Sequence, residues 1–239
     1  MLDLVNLLTN VMWVVYAIAF PLALVMILGY LASGSYGASV TSYDYYGVSL
    51  MIYAIFNVAT YSANSFMEER IKSPNLRIVH SPLSPFAIHF SKVLASFLFC
   101  LVSYSIVTLF LWLVMDVNYG GSYFVYLYLI MSLAIFFFAA LGVMVCCLLK
   151  SESLTNSILS FLLSVLAVLG GVFFPIDSLG TVAAFISWLS PAKWILTCCF
   201  QIIYDHNLKL FIPTCGVLIV LSIVAVSLSS RLFKVEDYV

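Results

Sequence analysis

Charged residues are scarce in this sequence. Its 239 residues include nine Lys and Arg and ten Asp and Glu, so 8% are charged, whereas 64% are hydrophobic. A soluble domain carries about one quarter charged residues, so the composition excludes an ordinary soluble protein. The net charge of −1 also excludes a nucleic-acid binder that neutralises phosphates, which needs an excess of cations. The apolar surface is therefore expected to face membrane lipid.

The sequence also lacks the common motifs of catalysis and metal binding. It contains no His-Glu-x-x-His zinc motif and no Walker A loop, so the chain is not expected to hydrolyse ATP by itself. Glu68 and Glu69 begin a pattern like the Glu-Glu-x-x-x-Arg of membrane prenyl-endopeptidases, but Ser73 stands where Arg is required. We therefore expect no catalytic residue, metal site or cofactor in this chain.

The six cysteines do not have the spacing of a zinc site. Cys100 and the pair Cys146 and Cys147 lie within long apolar runs, where cysteine acts as a small apolar filler. Cys198, Cys199 and Cys215 lie nearer one membrane face, where a disulfide among them is an open alternative.

Long apolar segments predict six transmembrane helices, since a helix needs about 20 apolar residues to cross a bilayer. Pro21 is expected to kink the first helix, and the fourth is long enough to need tilt or a break near Gly142. The predicted spans cover about residues 11–31, 46–66, 93–115, 123–149, 154–172 and 210–229.

The remaining segments are predicted to lie at the membrane faces. Residues 1–10 favour an interfacial helix, and residues 67–92 form the most polar stretch. Residues 173–209 are too interrupted for a span, and their apolar residues recur every three or four positions, which indicates a re-entrant helical hairpin. The prediction is a single all-α integral membrane domain, 1–239.

The distribution of Lys and Arg orients this domain. If residues 67–92 are cytoplasmic, seven of the nine cations lie inside, and Lys193 and Lys209 lie outside. Cytoplasmic loops carry the excess of positive charge in membrane proteins. Both termini are therefore predicted to be cytoplasmic and the hairpin extracellular.

Two predicted spans carry polar stripes. In the second span, Tyr53, Asn57, Tyr61 and Asn64 recur at spacings of four, four and three, which places them on one helical face. The fifth span has a similar stripe of Ser153, Ser157, Ser160 and Ser164, with Asn156 beside it. Close helix packing through small polar residues is one interpretation. A substrate route lined by both stripes is the other.

The polar stretch 67–92 contains two further patterns. The cluster Glu68-Glu69-Arg70 follows the second span directly, and Ser81-Pro82-Leu83-Ser84-Pro85 comes later. Serine caps a helix and proline fits its first turn, so the segment is predicted to fold as helix, turn and helix along the membrane. A stiff charged element of this kind could be pushed by a soluble motor.

Together these features resemble the type-2 ABC transporter permeases, the membrane subunits of many bacterial ATP-driven exporters. The acidic-Arg cluster resembles the family's motif at the inner end of span two. The run from Leu76 to Ala95, with Ser-Pro-Leu-Ser inside it, resembles the approach to span three. Gly171-Val172-Phe173-Phe174-Pro175 and Ile186-Ser187-Trp188-Leu189-Ser190-Pro191 resemble the outer hairpin signature.

The resemblance implies an exporter in the bacterial plasma (inner) membrane, with an amphipathic, peptide, drug or lipid-like substrate. It implies two separate ABC ATP-binding subunits, which carry ATP and Mg, and a second permease chain, identical or related, in contact with membrane lipid. The residues implied for coupling to the ATP-binding subunits are Glu68, Glu69, Arg70, Arg77, Ser81, Pro82 and Ser84. Those implied for the substrate pathway and dimer interface are Tyr53, Asn57, Tyr61, Asn64, Asn156, Ser157, Ser160 and Ser164. Those of the outer hairpin are Phe173, Phe174, Pro175 and Pro191.

Two other classes of function are alternatives. A secondary carrier or channel subunit would need no motor, but such proteins use ionisable groups at mid-membrane, and no charged residue falls centrally in a predicted span. A non-transport membrane protein, such as an immunity or scaffold subunit, would need no polar route. An ATP-binding subunit that co-purifies with the chain would separate these alternatives.

Overall fold

A computed structural model describes residues 2–37, 40–67, 85–176 and 180–233, and this part of the chain consists of helices and connecting turns without a strand. We number the helices α1 to α9 in chain order. Their bounds are α1 Leu2–Thr9, α2 Val11–Leu31, α3 Ser42–Met67, α4 Pro85–Met115, α5 Phe124–Leu149, α6 Glu152–Leu169, α7 Thr181–Ser187, α8 Pro191–Tyr204 and α9 Phe211–Leu232.

Among the described residues, five helices are long and apolar enough to cross a membrane, namely α2, α4, α5, α6 and α9. Their outward faces carry large exposed apolar side chains, such as Phe161 on α6 and Leu113 on α4. The predicted all-α integral membrane class is thereby confirmed for the described residues. The count of six spans, the cytoplasmic termini and the orientation stay predictions.

Helix α3 lies at the centre of the bundle and is less apolar than the five spans. It packs against α2, α4, α5, α6 and α8, and its 26 residues reach about 39 Å at 1.5 Å per residue, enough to cross a bilayer. A helix enclosed by protein need not be as apolar as one that faces lipid, because neighbouring helices can satisfy its polar groups.

Helices α3 and α5 pack closely in the core. A Cβ atom added at Gly142 of α5 would lie 2.0 Å from the backbone oxygen of Ala59 on α3. The ring centroids of Phe56 and Phe138 are 4.4 Å apart across the same interface. Helix α5 runs unbroken through Gly142, so the alternative of a break there is wrong. The glycine instead lets two backbones approach.

Helix α2 contains a wider π-helical turn, Val15–Ala19, just before Pro21. The backbone N–H of Phe20 donates to the carbonyl of Val15, five residues earlier. In the same register the carbonyl of Tyr16 would be paired with residue 21, but proline has no N–H. The Tyr61 hydroxyl of α3 donates to this carbonyl instead, at a long 3.4 Å.

The two ends of the bundle differ in charge. At one end, the ring of Phe233 after α9 lies 5.9 Å from Phe66 of α3 and 6.0 Å from His89 of α4. Lys92, Lys150 and Arg231 belong to the helix ends gathered there, whereas Lys193 and Lys209 belong to the opposite end. This separation is the one on which the predicted orientation depends.

Several helix bounds differ from the predicted segments. Helix α4 begins at Pro85 rather than at residue 93, because proline suits a first helical turn. Helix α6 ends at Leu169 rather than at residue 172, since Gly170 and Gly171 follow and Gly171 has φ +78°. The chain therefore leaves α6 through a tight glycine turn.

Candidate functional site

One face of the central helix α3 remains open in an otherwise buried element. Between Asp44 and Phe66, every side chain is buried except those of Tyr53, Asn57 and Thr60, which are half-buried. We call these three residues the open polar face. They are spaced four and three residues apart, so they share one side of the helix. All three are polar and uncharged.

The open polar face lies between α2 and α6. On the α2 side, the ring of Tyr61 packs edge-on against Trp13 at 5.5 Å. On the α6 side, the side-chain amide of Asn156 donates to the amide oxygen of Asn64 at 2.5 Å. Towards the outer hairpin, the ring of Tyr53 lies 5.2 Å from that of Phe173.

The predicted serine stripe borders this face on α6. The buried side of α6 comprises Thr155, Leu159, Leu163 and Ala167, and its opposite side exposes Phe161 and other apolar residues. At 100° per residue, Ser153, Ser157, Ser160 and Ser164 fall on the flank between these two sides, next to Asn156. Ser157 satisfies its hydroxyl by donating to the carbonyl of Ser153 at 2.9 Å.

Polar atoms at the open polar face and its α6 border are incompletely satisfied. The amide of Asn57 donates back to the carbonyl of Tyr53 at 3.0 Å. Within the described residues, however, the hydroxyl of Thr60 and the amide oxygen of Asn156 are buried without a hydrogen-bond partner. Buried polar groups are normally paired with protein or water. Because Tyr53, Asn57 and Thr60 are polar and only half-buried, this side of α3 suits contact with a second polar surface or with water rather than with lipid.

The predicted pathway residues lie in different environments in the structure. Tyr53 and Asn57 belong to the open polar face, and Asn64 and Asn156 form a direct pair beside it. Tyr61 is buried against α2, where it serves the Tyr16 carbonyl. Ser157 and Ser160 are exposed on the flank of α6, and Ser164 is half-buried there.

The outer hairpin is tied to the start of α3 by two tyrosines. The hydroxyl of Tyr45 donates to the carbonyl of Gly171 at 2.5 Å, and that of Tyr46 donates to the carbonyl of Phe173 at 3.0 Å. Phe173 is half-buried, whereas Phe174 and Pro175 are exposed. These bonds connect α3 directly to the turn that follows α6.

The segment predicted to form the hairpin contains α7 and α8, whose axes are bent by 99° relative to each other. Pro191 opens α8 behind Ser190, whose hydroxyl accepts from the N–H of Ala192 and donates to the carbonyl of Leu166 on α6. Of the predicted apolar face, Val182, Ile186 and Leu189 are exposed, whereas Ile176 is buried. The six cysteines are free thiols in this structure, including Cys198, Cys199 and Cys215.

The residues predicted to couple to a motor lie outside the described residues. These are Glu68, Glu69, Arg70, Arg77, Ser81, Pro82 and Ser84. The described helices that flank them are α3, which ends at Met67, and α4, which begins at Pro85. The predicted segment 67–92 therefore overlaps the structure chiefly through the first turns of α4.

Sequence reasoning missed two parts of the site. Thr60 lies three residues after Asn57, a spacing that was sufficient to include it in the stripe. The role of Tyr45 and Tyr46 had no local signal, since their partners lie 126 and 127 residues away. In the described ranges, no group of three His, Cys, Asp or Glu side chains is placed to hold a metal ion.

These features define a multi-pass helical membrane protein whose central helix carries the open polar face. The family described as ABC-2 type transporter matches residues 4–204 of the chain, and the chain belongs to that family. It is thus a permease component of an ABC transporter, as the motifs indicated. A comparison of the chain with curated proteins found no match.

Proposed function

We propose that this chain is the permease subunit of an ABC exporter that moves an amphipathic, peptide, drug or lipid-like substrate out across the bacterial plasma membrane. In this proposal the chain has six spans, of which α3 is the second, and both of its termini are cytoplasmic. Two separate ATP-binding subunits carry ATP and Mg and supply the energy. A second permease chain, identical or related, completes the route.

The open polar face is the observation that carries this proposal. Leaving amide and hydroxyl groups against lipid costs several kcal/mol in the least favourable reference state. A second permease chain placed against Tyr53, Asn57 and Thr60 would cover them and enclose a polar passage.

Helix α3 is suited to transmit motion along its length. One end leads into the segment that carries Glu68, Glu69 and Arg70, and the other is bonded to the outer hairpin through Tyr45 and Tyr46. A partner that binds two conformations with different affinity shifts their populations. Closure of the ATP-binding subunits against the cytoplasmic end would thereby move the hairpin turn at the far end.

The motor-contact role is tested with the chain and its ATP-binding subunits purified together and reconstituted in liposomes. Glu69→Ala and Arg70→Ala are expected to lower the permease-dependent ATPase rate severalfold while leaving membrane insertion intact. Lys209→Ala is the matched control, because it removes a charge at the opposite end of the bundle.

Two results would contradict different parts of the proposal. If no ATP-binding subunit co-purifies with the tagged chain from its native membrane, the assignment of a motor-driven permease fails. If the complex forms but both variants hydrolyse ATP at the rate of the unmodified complex, only the contact through residues 68–70 fails.

A further inference from the structure

A second site lies on another side of the bundle. A cavity of about 420 Å³ borders the outer hairpin, but a larger one, of about 790 Å³, opens between α4 and α5 at the outer-hairpin end. Ligand pockets for drug-sized molecules span about 300–1,000 Å³. Helix α6 and the open polar face contribute no residue to this larger cavity, so it is separate from the proposed transport route.

The lining of this cavity combines one carboxylate with aromatic rings. Among the described residues that line it, Asp116 is the only charged one, and none is Lys, Arg or His. The aromatic residues that line it are Trp112, Tyr119, Phe124 and Tyr128. Aromatic faces attract cations by about 0.5–2 kcal/mol, and a carboxylate adds direct charge attraction. The cavity is therefore complementary to a positively charged ligand.

The walls of the cavity are held in place by bonds to the core. The N–H of Asn118 donates to the carboxylate of Asp44 at 2.7 Å, and the N–H of Val117 donates to the carbonyl of Leu111 at 3.3 Å. In the cavity wall, the hydroxyls of Ser105 on α4 and Tyr128 on α5 are 2.9 Å apart. The backbone that carries Asp116 is thus positioned before any ligand arrives.

The cavity is also accessible from the lipid side. Trp112 is 56% exposed and Leu109 is 52% exposed, and both belong to the outward side of α4. An interfacial aromatic belt accounts for an exposed Trp in this position. It does not account for Tyr119, which is 4% exposed and faces the cavity behind it. An apolar ligand dissolved in the membrane could enter between α4 and α5.

We propose that this cavity binds a lipophilic organic cation from the membrane. Asp116 would pair with its charge, and the rings of Trp112, Tyr119, Phe124 and Tyr128 would surround its apolar body. This inference does not depend on the proposed transport function, because it concerns binding to the permease chain without nucleotide or partner.

The test is binding of radiolabelled tetraphenylphosphonium to the full-length chain in phosphatidylcholine nanodiscs, after subtraction of binding to empty nanodiscs. Asp116→Asn is expected to weaken binding about tenfold, the equivalent of about 1.4 kcal/mol. Asparagine tolerates the left-handed backbone of this residue, which has φ +54°. Asp205→Asn, which removes another carboxylate at the same end of the bundle, is expected to leave binding unchanged.

A neutral competitor separates charge recognition from simple apolar binding. Triphenylphosphine oxide, which has a similar apolar body, should displace the probe from the unmodified chain only at about tenfold or higher concentration. Trp112→Leu should weaken binding of the cation, with the melting temperature unchanged because the side chain is exposed. Equal affinity in Asp116→Asn and the unmodified chain, or equal displacement by the neutral compound, would overturn the proposal.

Discussion

At the scale of single residues, Tyr61 shows how one side chain can compensate for a proline in a neighbouring helix. Its ring packs on Trp13, and its hydroxyl reaches the Tyr16 carbonyl that Pro21 leaves without a backbone donor. Spacing alone grouped Tyr61 with Asn57 and Asn64. Tyr61 differs from these two residues because its hydroxyl contacts Tyr16, which lies 45 residues earlier in the chain. The spacing of residues within α3 cannot predict such a contact.

The bond between Tyr61 and Tyr16 predicts a coupling with Pro21. Tyr61→Phe should lower the free energy of unfolding by about 1 kcal/mol, because a carbonyl in the bundle loses its donor. In a Pro21→Ala background the new N–H can serve that carbonyl, so the same change should cost close to nothing. Denaturant unfolding in detergent micelles measures both values.

Tyr128 provides the control for this comparison of Tyr61→Phe with and without Pro21→Ala. Its hydroxyl lies 2.9 Å from that of Ser105, between α4 and α5. Tyr128→Phe should cost the same with or without Pro21→Ala, because distant sites are additive. An equal cost of Tyr61→Phe in both backgrounds would show that the Tyr16 carbonyl does not depend on that hydroxyl.

At the scale of helices, apolar run length predicted those elements that face lipid. The segments 11–31 and 210–229 appear as α2 and α9 because their residues must be apolar almost all round. The central helix α3 follows another rule, since protein rather than lipid surrounds it. Its stripe of Tyr53, Asn57 and Asn64 could be predicted by spacing, whereas the open part of that stripe depends on where α2 and α6 pack.

Other element bounds depended on glycine and proline conformations that apolar runs do not report. Gly171 ends α6 early through its positive φ, and Pro85 starts α4 inside the polar stretch 67–92, ahead of the span predicted from residue 93. A break near Gly142 was one of two alternatives, beside tilt, because the segment 123–149 is longer than a bilayer requires. Gly142 instead allows the backbone of α5 to approach that of Ala59 on α3, a contact between residues far apart in the sequence.

The contact between α3 and α5 predicts that Gly142→Ala is destabilising. The new methyl group would meet the backbone oxygen of Ala59, which cannot rotate away as a side chain could. Overpacking of this kind costs about 1–3 kcal/mol, and the melting temperature in detergent should fall. Gly216→Ala in α9 is the matched control, since nothing lies within 4 Å of its added Cβ.

Gly216→Ala should leave stability equal or slightly higher, because alanine is the better helix former by about 1 kcal/mol. A decrease of the same size in both variants would mean that helix propensity or insertion, rather than the approach of α3 and α5, decides the outcome. An unchanged melting temperature in Gly142→Ala would show that the two backbones are farther apart.

At the scale of the whole molecule, the open polar face predicts which side of the bundle meets a second permease chain. Thr60→Cys, treated in native membranes with a membrane-permeable bis-maleimide, should give a product larger by one permease chain, either a copy or a related chain. Leu113→Cys, on a 65% exposed apolar side chain of α4, should stay monomeric, because lipid suits that surface. The unmodified chain, treated in the same way, measures the cross-linking that arises from the native cysteines. Cross-linking through position 113 but not through position 60 would place the partner against α4, and the polar side chains of α3 would then serve packing within one chain.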